Sequence, residues 1–435
     1  LGAILIVGLA SAFTYLFALK LALLRTSEAA CKHANATEQN RALKHARATA
    51  LVALVFLFSA PHVFYHAHLA CFDGPIMALI IVSTYAFWRS TESRRWIVPA
   101  CILWGIALAT KHNAVFTLAG FGATAAIVRR RRPPLSLLLM PALGLFVFYI
   151  LYPYGWRHPL ERISAYYNYH AHHEHYPVDF FGTLYVMPPF PIGYAFRMTA
   201  LTVPLVTLVL GAVGLVRVAM TSRTKNEPLR WGCVLLVIGA LVPPLVISLP
   251  SVPIFGGTKH WMPMMPFFCI AAAITLTDIA AKIAQPTLRY ALPTLALLLP
   301  IFDTVRTHPN GQTYFNELVF GHQGGAYFGL PRTFWGGDGR AMLASLNAKA
   351  DKDAKVFTHR MNLGDWQQYR EDALVRRDLI YVNTLAEADW GLMYHQREHQ
   401  DVEYAYWQRG GVLVDTLMYD GVPVVSLYRL KVAEP

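Results

Sequence analysis

Long apolar runs dominate the first three hundred residues of the chain. Runs of spanning or near-spanning length occur at 1–23, 48–66, 74–89, 95–110, 113–128, 134–153, 197–219, 231–249, 263–282 and 288–303. About 20 apolar residues cross the hydrocarbon core of a bilayer, so several of these runs are short for an upright span. The pattern predicts an α-helical polytopic membrane domain over 1–303 with about ten apolar helices, some of them packed pairs or re-entrant elements.

The composition agrees with a membrane protein. Only 15% of the 435 residues are charged, 55% are hydrophobic, and the mean hydropathy is +0.36, whereas soluble domains average about 25% charged residues. The net charge of +12 indicates cytoplasmic basic loops more strongly than a nucleic-acid partner. Five scattered cysteines without a CxxC motif do not predict a disulfide framework or a zinc ribbon.

The charges between the apolar runs alternate along the chain. Basic segments are 24–47, 89–95, 129–134 and 223–230, whereas 66–73 has no Lys or Arg, 111–113 is short, and 154–196 has few basic residues for its length. The positive-inside rule places the basic segments in the cytoplasm and the others outside. This alternation requires two crossings between 95 and 128. It predicts a multi-pass membrane protein. Residue 1 would then lie outside, so we expect that a first helix and first outer loop are missing from the sequence.

The composition changes after residue 304, where apolar runs shorten and charge rises. The segments 355–359, 378–383 and 411–430 have strand-like patterns, and EDALVRR (371–377) has a helical one. The sequence therefore predicts a small extracytoplasmic α/β domain over 304–435.

Ionisable residues gather at the predicted outer ends of the apolar runs. Asp73 opens a run and fits either a helix N-cap or a functional acid. Lys111 and His112 lie between two short runs among small residues, which favours an anion site over a snorkelling lysine. Lys259 and His260 follow two glycines, and an interfacial anchor is an equally good interpretation. These cations predict binding of a phosphate.

The predicted outer loop 154–196 is aromatic and rich in histidine. Its candidate substrate contacts are Tyr169, His170, His172, His173 and His175. On a helix, His170 would share a face with His173; on a strand, it would share one with His172. Either arrangement brings only two imidazoles together, whereas a usual zinc site has three or four protein ligands. Substrate contacts or solvated histidines are favoured over a metal, and no cofactor is predicted, although a metal stays open.

Several motifs together resemble a known family. SAPHVFYHAHLACFDGPIMALIIVSTYAF (59–87), GIALATKHNAVF (105–116), the outer loop, KHWMPMMPFFCIAAA (259–273) and the segment 313–347 resemble, in order and spacing, the bacterial relatives of the dolichyl-phosphate-mannose protein mannosyltransferases. These are type C polytopic membrane glycosyltransferases. The resemblance covers most of the chain.

The resemblance implies transfer of a sugar from a polyprenyl-phosphate carrier to an acceptor hydroxyl, on a protein or glycolipid, at the outer face of the plasma (inner) membrane. It implies a phosphate-binding role for Lys111, with Lys259 and His260 near the donor, and an orienting role for Asp73. The general base would lie in the missing N-terminal loop. A transporter or flippase for a lipid-linked sugar, and a non-catalytic scaffold with a partner-binding outer domain, stay as alternatives.

Overall fold

A computed structural model describes residues 2–29, 35–129, 132–254, 256–334, 336–397 and 405–430. The chain forms two compact units. The helical unit comprises Leu1–Glu174, Phe190–Pro253 and Thr258–Gly311, and the sheet unit comprises His175–Pro189, Ile254–Gly257 and Gln312–Pro435.

Every predicted apolar run is helical. The helices of the helical unit are α1 (Gly2–Ala29), α2 (Ala36–Phe58), α3 (Pro61–Ala67), α4 (Asp73–Ser90), α5 (Ile97–Thr110), α6 (Val115–Arg129), α7 (Leu135–Ile150), α8 (Pro159–Ala171), α9 (Tyr194–Thr202), α10 (Leu205–Thr221), α11 (Glu227–Ile247), α12 (Met265–Lys282) and α13 (Pro286–Thr307). Two runs are each divided between a pair of helices, α2 with α3 and α9 with α10. Helix α13 continues past the predicted domain boundary at 303.

The described helices differ in their capacity to cross a membrane. By length and composition, four suffice on their own: Ile4–Glu28, Glu227–Ile247, Met262–Lys282 and Pro286–Thr307. The pair α2 and α3 is bent by 79° and forms a fifth membrane-spanning candidate if both helices belong to one span. Helices α7 and α10 are apolar but shorter. These findings confirm a multi-pass membrane protein.

The predicted basic loop 24–47 is mostly helical, which corrects that expectation. Helix α1 continues to Ala29, and α2 begins at Ala36 because Asn35 and Glu38 form a capping box there. Each side chain of the box accepts a hydrogen bond from the backbone N–H of the other residue, which satisfies donors that a helix start leaves open. Helix α2 therefore begins with several polar residues, and its apolar run follows them.

Helices α4 and α12 form the interior of the helical unit. All residues of α4 except Arg89 are buried, as is α12 from Met265 to Thr277. Around them, small residues let helix backbones approach closely. A Cβ on Gly105 of α5 would lie 2.5 Å from the backbone oxygen of Gly144 in α7. This packing holds the short helix α5 against α7.

The segment between α5 and α6 is a sharp break, as the charge alternation predicts. Lys111 leaves the helix with extended backbone angles (φ −157°, ψ 131°), and a 3₁₀ turn, His112–Ala114, leads into α6. The buried indole of Trp104 donates to the Ala114 carbonyl at 3.0 Å. Helix α5 therefore anchors the turn that carries Lys111.

The described residues of the sheet unit form two sheets. Its strands are β1 (Val178–Phe180), β2 (Thr183–Tyr185), β3 (Lys355–Thr358), β4 (Ile380–Tyr381), β5 (Trp390–Tyr394), β6 (Gly411–Tyr419) and β7 (Val422–Leu430). Strands β1 and β2 form a hairpin, and the larger sheet has the order β4-β3-β5-β7-β6. Strand β3 is parallel to β4 and β5, whereas β7 is antiparallel to β5 and β6. The core of this unit includes Val356, Trp366, Leu392 and Leu427.

The described helices of the sheet unit are α14 (Gly321–Tyr327), α15 (Gly339–Lys349), α16 (Leu363–Glu371) and α17 (Ala405–Gly410). The predicted helix over 371–377 is wrong, because α16 lies just before it. Asn362 and Asp365 cap the start of α16, and Ala373 adopts a positive φ of 57° that ends helical geometry. The predicted strand segment 411–430 is confirmed as a hairpin with its turn at Asp420–Gly421.

Candidate functional site

The acid and the lysine singled out from the sequence form an ion pair. Lys111 Nζ donates to Asp73 Oδ1 at 2.7 Å, and the two side chains are only 17% and 7% exposed. Asp73 is the first residue of α4, and Phe72 occupies the N-cap position. The N-cap interpretation of Asp73 is therefore wrong. The carboxylate instead lies in the first helical turn, where the helix dipole favours negative charge.

A second lysine lies in the same electrostatic environment. Lys259 is in the 3₁₀ turn Gly257–His260, before α12. Burial lowers the pKa of Lys259 to about 8, an effect that the Asp73 carboxylate opposes and the Lys111 ammonium reinforces. Two lysines therefore share the field of one buried carboxylate, and this leaves an excess of positive charge at the site.

Two further polar side chains approach Asp73 from the preceding turn. Cys71 is partly exposed, and its thiol donates to Asp73 Oδ2 at 3.6 Å. His66, near the end of α3, is buried, and its ring nitrogen lies within 4.8 Å of the other two ligand atoms. Neither residue is among the candidates predicted from the sequence, although the spacing H-x₄-C-x-D within 66–73 is a signal that could indicate three donor atoms close together.

The histidine-rich loop reaches the Lys111 turn through one imidazole. The ring of His170, in the last turn of α8, stacks on His112 with centroids 3.9 Å apart. Tyr166, one turn earlier, packs edge-on against His170 and against Tyr152. Burial, the His170 ring and the Lys111 ammonium lower the pKa of His112 to about 4. His112 is therefore neutral at neutral pH and can offer a hydrogen bond but no charge.

The other loop residues do not join this pair. The Nδ1 atoms of His172 and His173 lie near backbone oxygens, at 3.1 Å from Asn168 and 2.8 Å from Glu174. Tyr169 is 66% exposed and contacts the rings of His170 and His173, while His175 falls in the sheet unit. Helix α8 ends at Ala171, so neither the all-helix nor the all-strand arrangement of these histidines is present. In the described part of the chain, these histidines do not form a three-ligand metal group.

An apolar cavity adjoins the turn that carries Lys111. It has a volume of about 590 Å³, part of it open to the surroundings, and lies between α4, α6 and α11. Most of its lining is aliphatic or aromatic, and Asn113 and His260 are among its few polar residues. These two residues are close in sequence to Lys111 and Lys259, so the cavity has one end near the two lysines. The sequence does not predict this cavity.

Comparison with known proteins agrees with the predicted resemblance. Residues 39–155 match the family model described as dolichyl-phosphate-mannose-protein mannosyltransferase. The crystal structure of ArnT from Cupriavidus metallidurans bound to undecaprenyl phosphate matches with a TM-score of 0.50 and 13% identity, over 98% of this chain and 83% of that chain. The apo structure of the same protein gives a TM-score of 0.49 and 13% identity, over 96% and 83% of the two chains. No curated protein matches.

The fold is that of the type C membrane glycosyltransferases, with a small C-terminal sheet domain. The family match covers the segment from α2 to the turn after α7, which contains both Asp73 and Lys111. The predicted resemblance to dolichyl-phosphate-mannose protein mannosyltransferases is therefore confirmed: part of the chain matches that family's model, and the whole chain has the fold of the type C membrane glycosyltransferases.

Proposed function

We propose that this protein transfers a sugar from a polyprenyl-phosphate carrier to an acceptor hydroxyl at the outer face of the membrane. One observation carries the proposal: two polar residues of an apolar cavity, Asn113 and His260, are close in sequence to two partly buried lysines, Lys111 and Lys259. Small-molecule sites commonly have mostly apolar walls with a few polar groups, as this cavity does. ArnT, which has the same fold, was crystallised with undecaprenyl phosphate.

The parts of the proposed donor correspond to parts of the site. The prenyl chain lies in the cavity, where burying its apolar surface contributes about 25 cal/mol per Å². The phosphate lies at the polar end, where Lys111 and Lys259 supply charge and Asn113 and His260 supply hydrogen-bonding groups. His112 contributes an uncharged N–H donor to the same region.

The proposed reaction breaks the bond between the sugar C1 and the phosphate oxygen and forms one between C1 and the acceptor oxygen. The acceptor proton goes to a general base, and polyprenyl phosphate leaves with the electron pair of the broken bond. Negative charge develops on the leaving oxygen, and preorganised cations stabilise it. We assign Lys111 and Lys259 to this task. We assign Asp73 to orientation, because Lys111 already occupies its Oδ1 atom.

The cavity assignment is tested with two tryptophan substitutions on helix α6. Thr117 lines the cavity, whereas Ala119 is exposed and does not. We expect Thr117→Trp to weaken binding of undecaprenyl phosphate to the full chain in nanodiscs by at least about tenfold, since the indole fills space that the chain needs. Ala119→Trp should bind like the wild type. Equal binding by both variants would show that the lipid lies elsewhere.

Sugar transfer itself is tested with the wild type in proteoliposomes. Polyprenyl-phosphate hexoses and pentoses are supplied together with a membrane extract that contains protein and glycolipid acceptors. The enzyme should release polyprenyl phosphate and label an acceptor. A flippase would move the intact lipid across the bilayer without release, so that result would replace the proposal with the transporter alternative.

A further inference from the structure

Three different metal-binding side chains, one from α3, one from the connection after it and one from α4, lie close together. The ligand atoms of His66, Cys71 and Asp73 all lie within 4.8 Å of one another. His66 is 3% exposed and Asp73 is 5% exposed, whereas Cys71 is partly exposed. The connection of five residues between the two helices brings these side chains together, and the buried helix α4 fixes one of them.

The carboxylate of Asp73 has one oxygen for each of two partners. Its Oδ1 accepts from Lys111 Nζ at 2.7 Å, and its Oδ2 lies 3.6 Å from Cys71 Sγ. A cation between Oδ2, the sulfur and the His66 ring would leave the bond to Lys111 in place. Bonds from zinc to its ligands are about 2.0–2.3 Å long, so two ligand atoms of one ion lie at most about twice that distance apart. The separations between the ligand atoms of His66, Cys71 and Asp73 already approach this limit.

We propose that His66, Cys71 and Asp73 bind a divalent zinc-like cation. Imidazole nitrogen, thiolate sulfur and a carboxylate oxygen together suit zinc better than magnesium or calcium, which take oxygen ligands. Three protein ligands leave a fourth position open, as at catalytic rather than structural zinc sites. The partly exposed Cys71 lies on the side from which an ion or ligand can enter.

The charges at the site limit how tightly the ion is held. The thiolate and the carboxylate together offset the two positive charges of the ion. Lys111 and Lys259 add two further positive charges nearby, which repel the cation and attract an anion. We therefore expect weaker binding than at a closed site with four protein ligands, and tighter binding when an anion occupies the fourth position.

The ion is tested by cobalt substitution of the purified full-length chain. Cobalt(II) bound by a thiolate gives a charge-transfer band in the near ultraviolet and visible bands typical of four-coordinate cobalt. The wild type should show these bands at one equivalent of cobalt, and added zinc should abolish them. Absence of the thiolate band in folded wild type overturns the proposal without reference to any variant.

Two substitutions and one control locate the ion. Cys71→Ser should remove the thiolate band and His66→Gln should weaken cobalt binding at least tenfold. Cys101→Ser should leave the spectrum unchanged, because Cys101 is a buried cysteine whose thiol contacts the Ser136 carbonyl instead. A band that survives Cys71→Ser assigns the metal to another cysteine and refutes the site. None of these measurements depends on sugar transfer, so they remain informative if the proposed function is wrong.

Discussion

Removing the two partners of the Asp73–Lys111 ion pair, singly and together, separates a structural role from donor binding. At 2.7 Å and an effective dielectric constant of about 20, the Coulomb attraction of the pair is about 6 kcal/mol. Desolvation of two largely buried groups offsets most of this attraction. The variants are Lys111→Met, Asp73→Asn and the double variant, with Lys282→Met as a control at an exposed lysine in the last turn of α12.

Each single variant leaves one buried charge without its partner. Such a change costs about 3–5 kcal/mol of stability. We expect Lys111→Met to lie at the lower end, because Lys259 still attracts the Asp73 carboxylate. The double variant should recover most of the loss, since neither charge remains. Thermal unfolding in detergent, followed by the fluorescence of the ten tryptophans, measures these differences.

The affinities of the variants for the donor should not follow the order of their stabilities. Lys111→Met removes a charge-assisted contact to the phosphate worth about 1.5–3 kcal/mol, which is about a 10- to 150-fold loss of affinity. The double variant should bind as weakly as Lys111→Met although its stability is restored. Native mass spectrometry measures the binding of undecaprenyl phosphate to both variants. If the double variant regained wild-type binding, Lys111 would serve only to neutralise Asp73, and the reasoning would fail.

Two further predictions concern the second lysine and the helix packing. Lys259, with its pKa lowered to about 8, is cationic below that pH and loses its charge above it. Affinity for the donor should therefore fall as pH rises from about 7 to about 9. Lys259→Arg should flatten this dependence of affinity on pH, because arginine stays charged. If Lys259→Arg left the pH dependence unchanged, Lys259 would not be a phosphate-binding residue. Gly105→Val should destabilise the protein by about 1–3 kcal/mol, because its Cβ would lie 2.5 Å from the Gly144 oxygen. Gly122→Val meets no atom within 4 Å and should leave the unfolding midpoint nearly unchanged; equal shifts would contradict the packing argument.

The sequence predicts the helices well because membrane insertion is decided locally. Each span needs a run of apolar residues regardless of its neighbours, so all ten runs appear as helices. The sequence also predicts the break at Lys111, since basic segments on both sides of 95–128 require two helices there. The sheet unit is less predictable. Its helix was expected at 371–377, but capping by Asn362 and Asp365 places α16 before Asp372.

Side-chain partners, in contrast, depend on contacts between distant segments. The charge pattern predicts that Asp73 and Lys111 lie on one face of the membrane, but only the packing of α4 against α5 joins them at 2.7 Å. The cavity arises in the same way, because α4, α6 and α11 each contribute one wall. No local pattern contains this information.

The histidine-rich loop shows most clearly that sequence spacing does not predict side-chain partners. Spacing alone offered pairs within the loop, whereas the structure pairs His170 with His112, fifty-eight positions away in the sequence. Because apolar length and charge are local properties, they are sufficient to predict a polytopic helical protein with its ionisable groups gathered at helix ends. Helix packing, in contrast, sets which carboxylate meets which lysine and where the apolar cavity opens, so these features follow from contacts between distant segments.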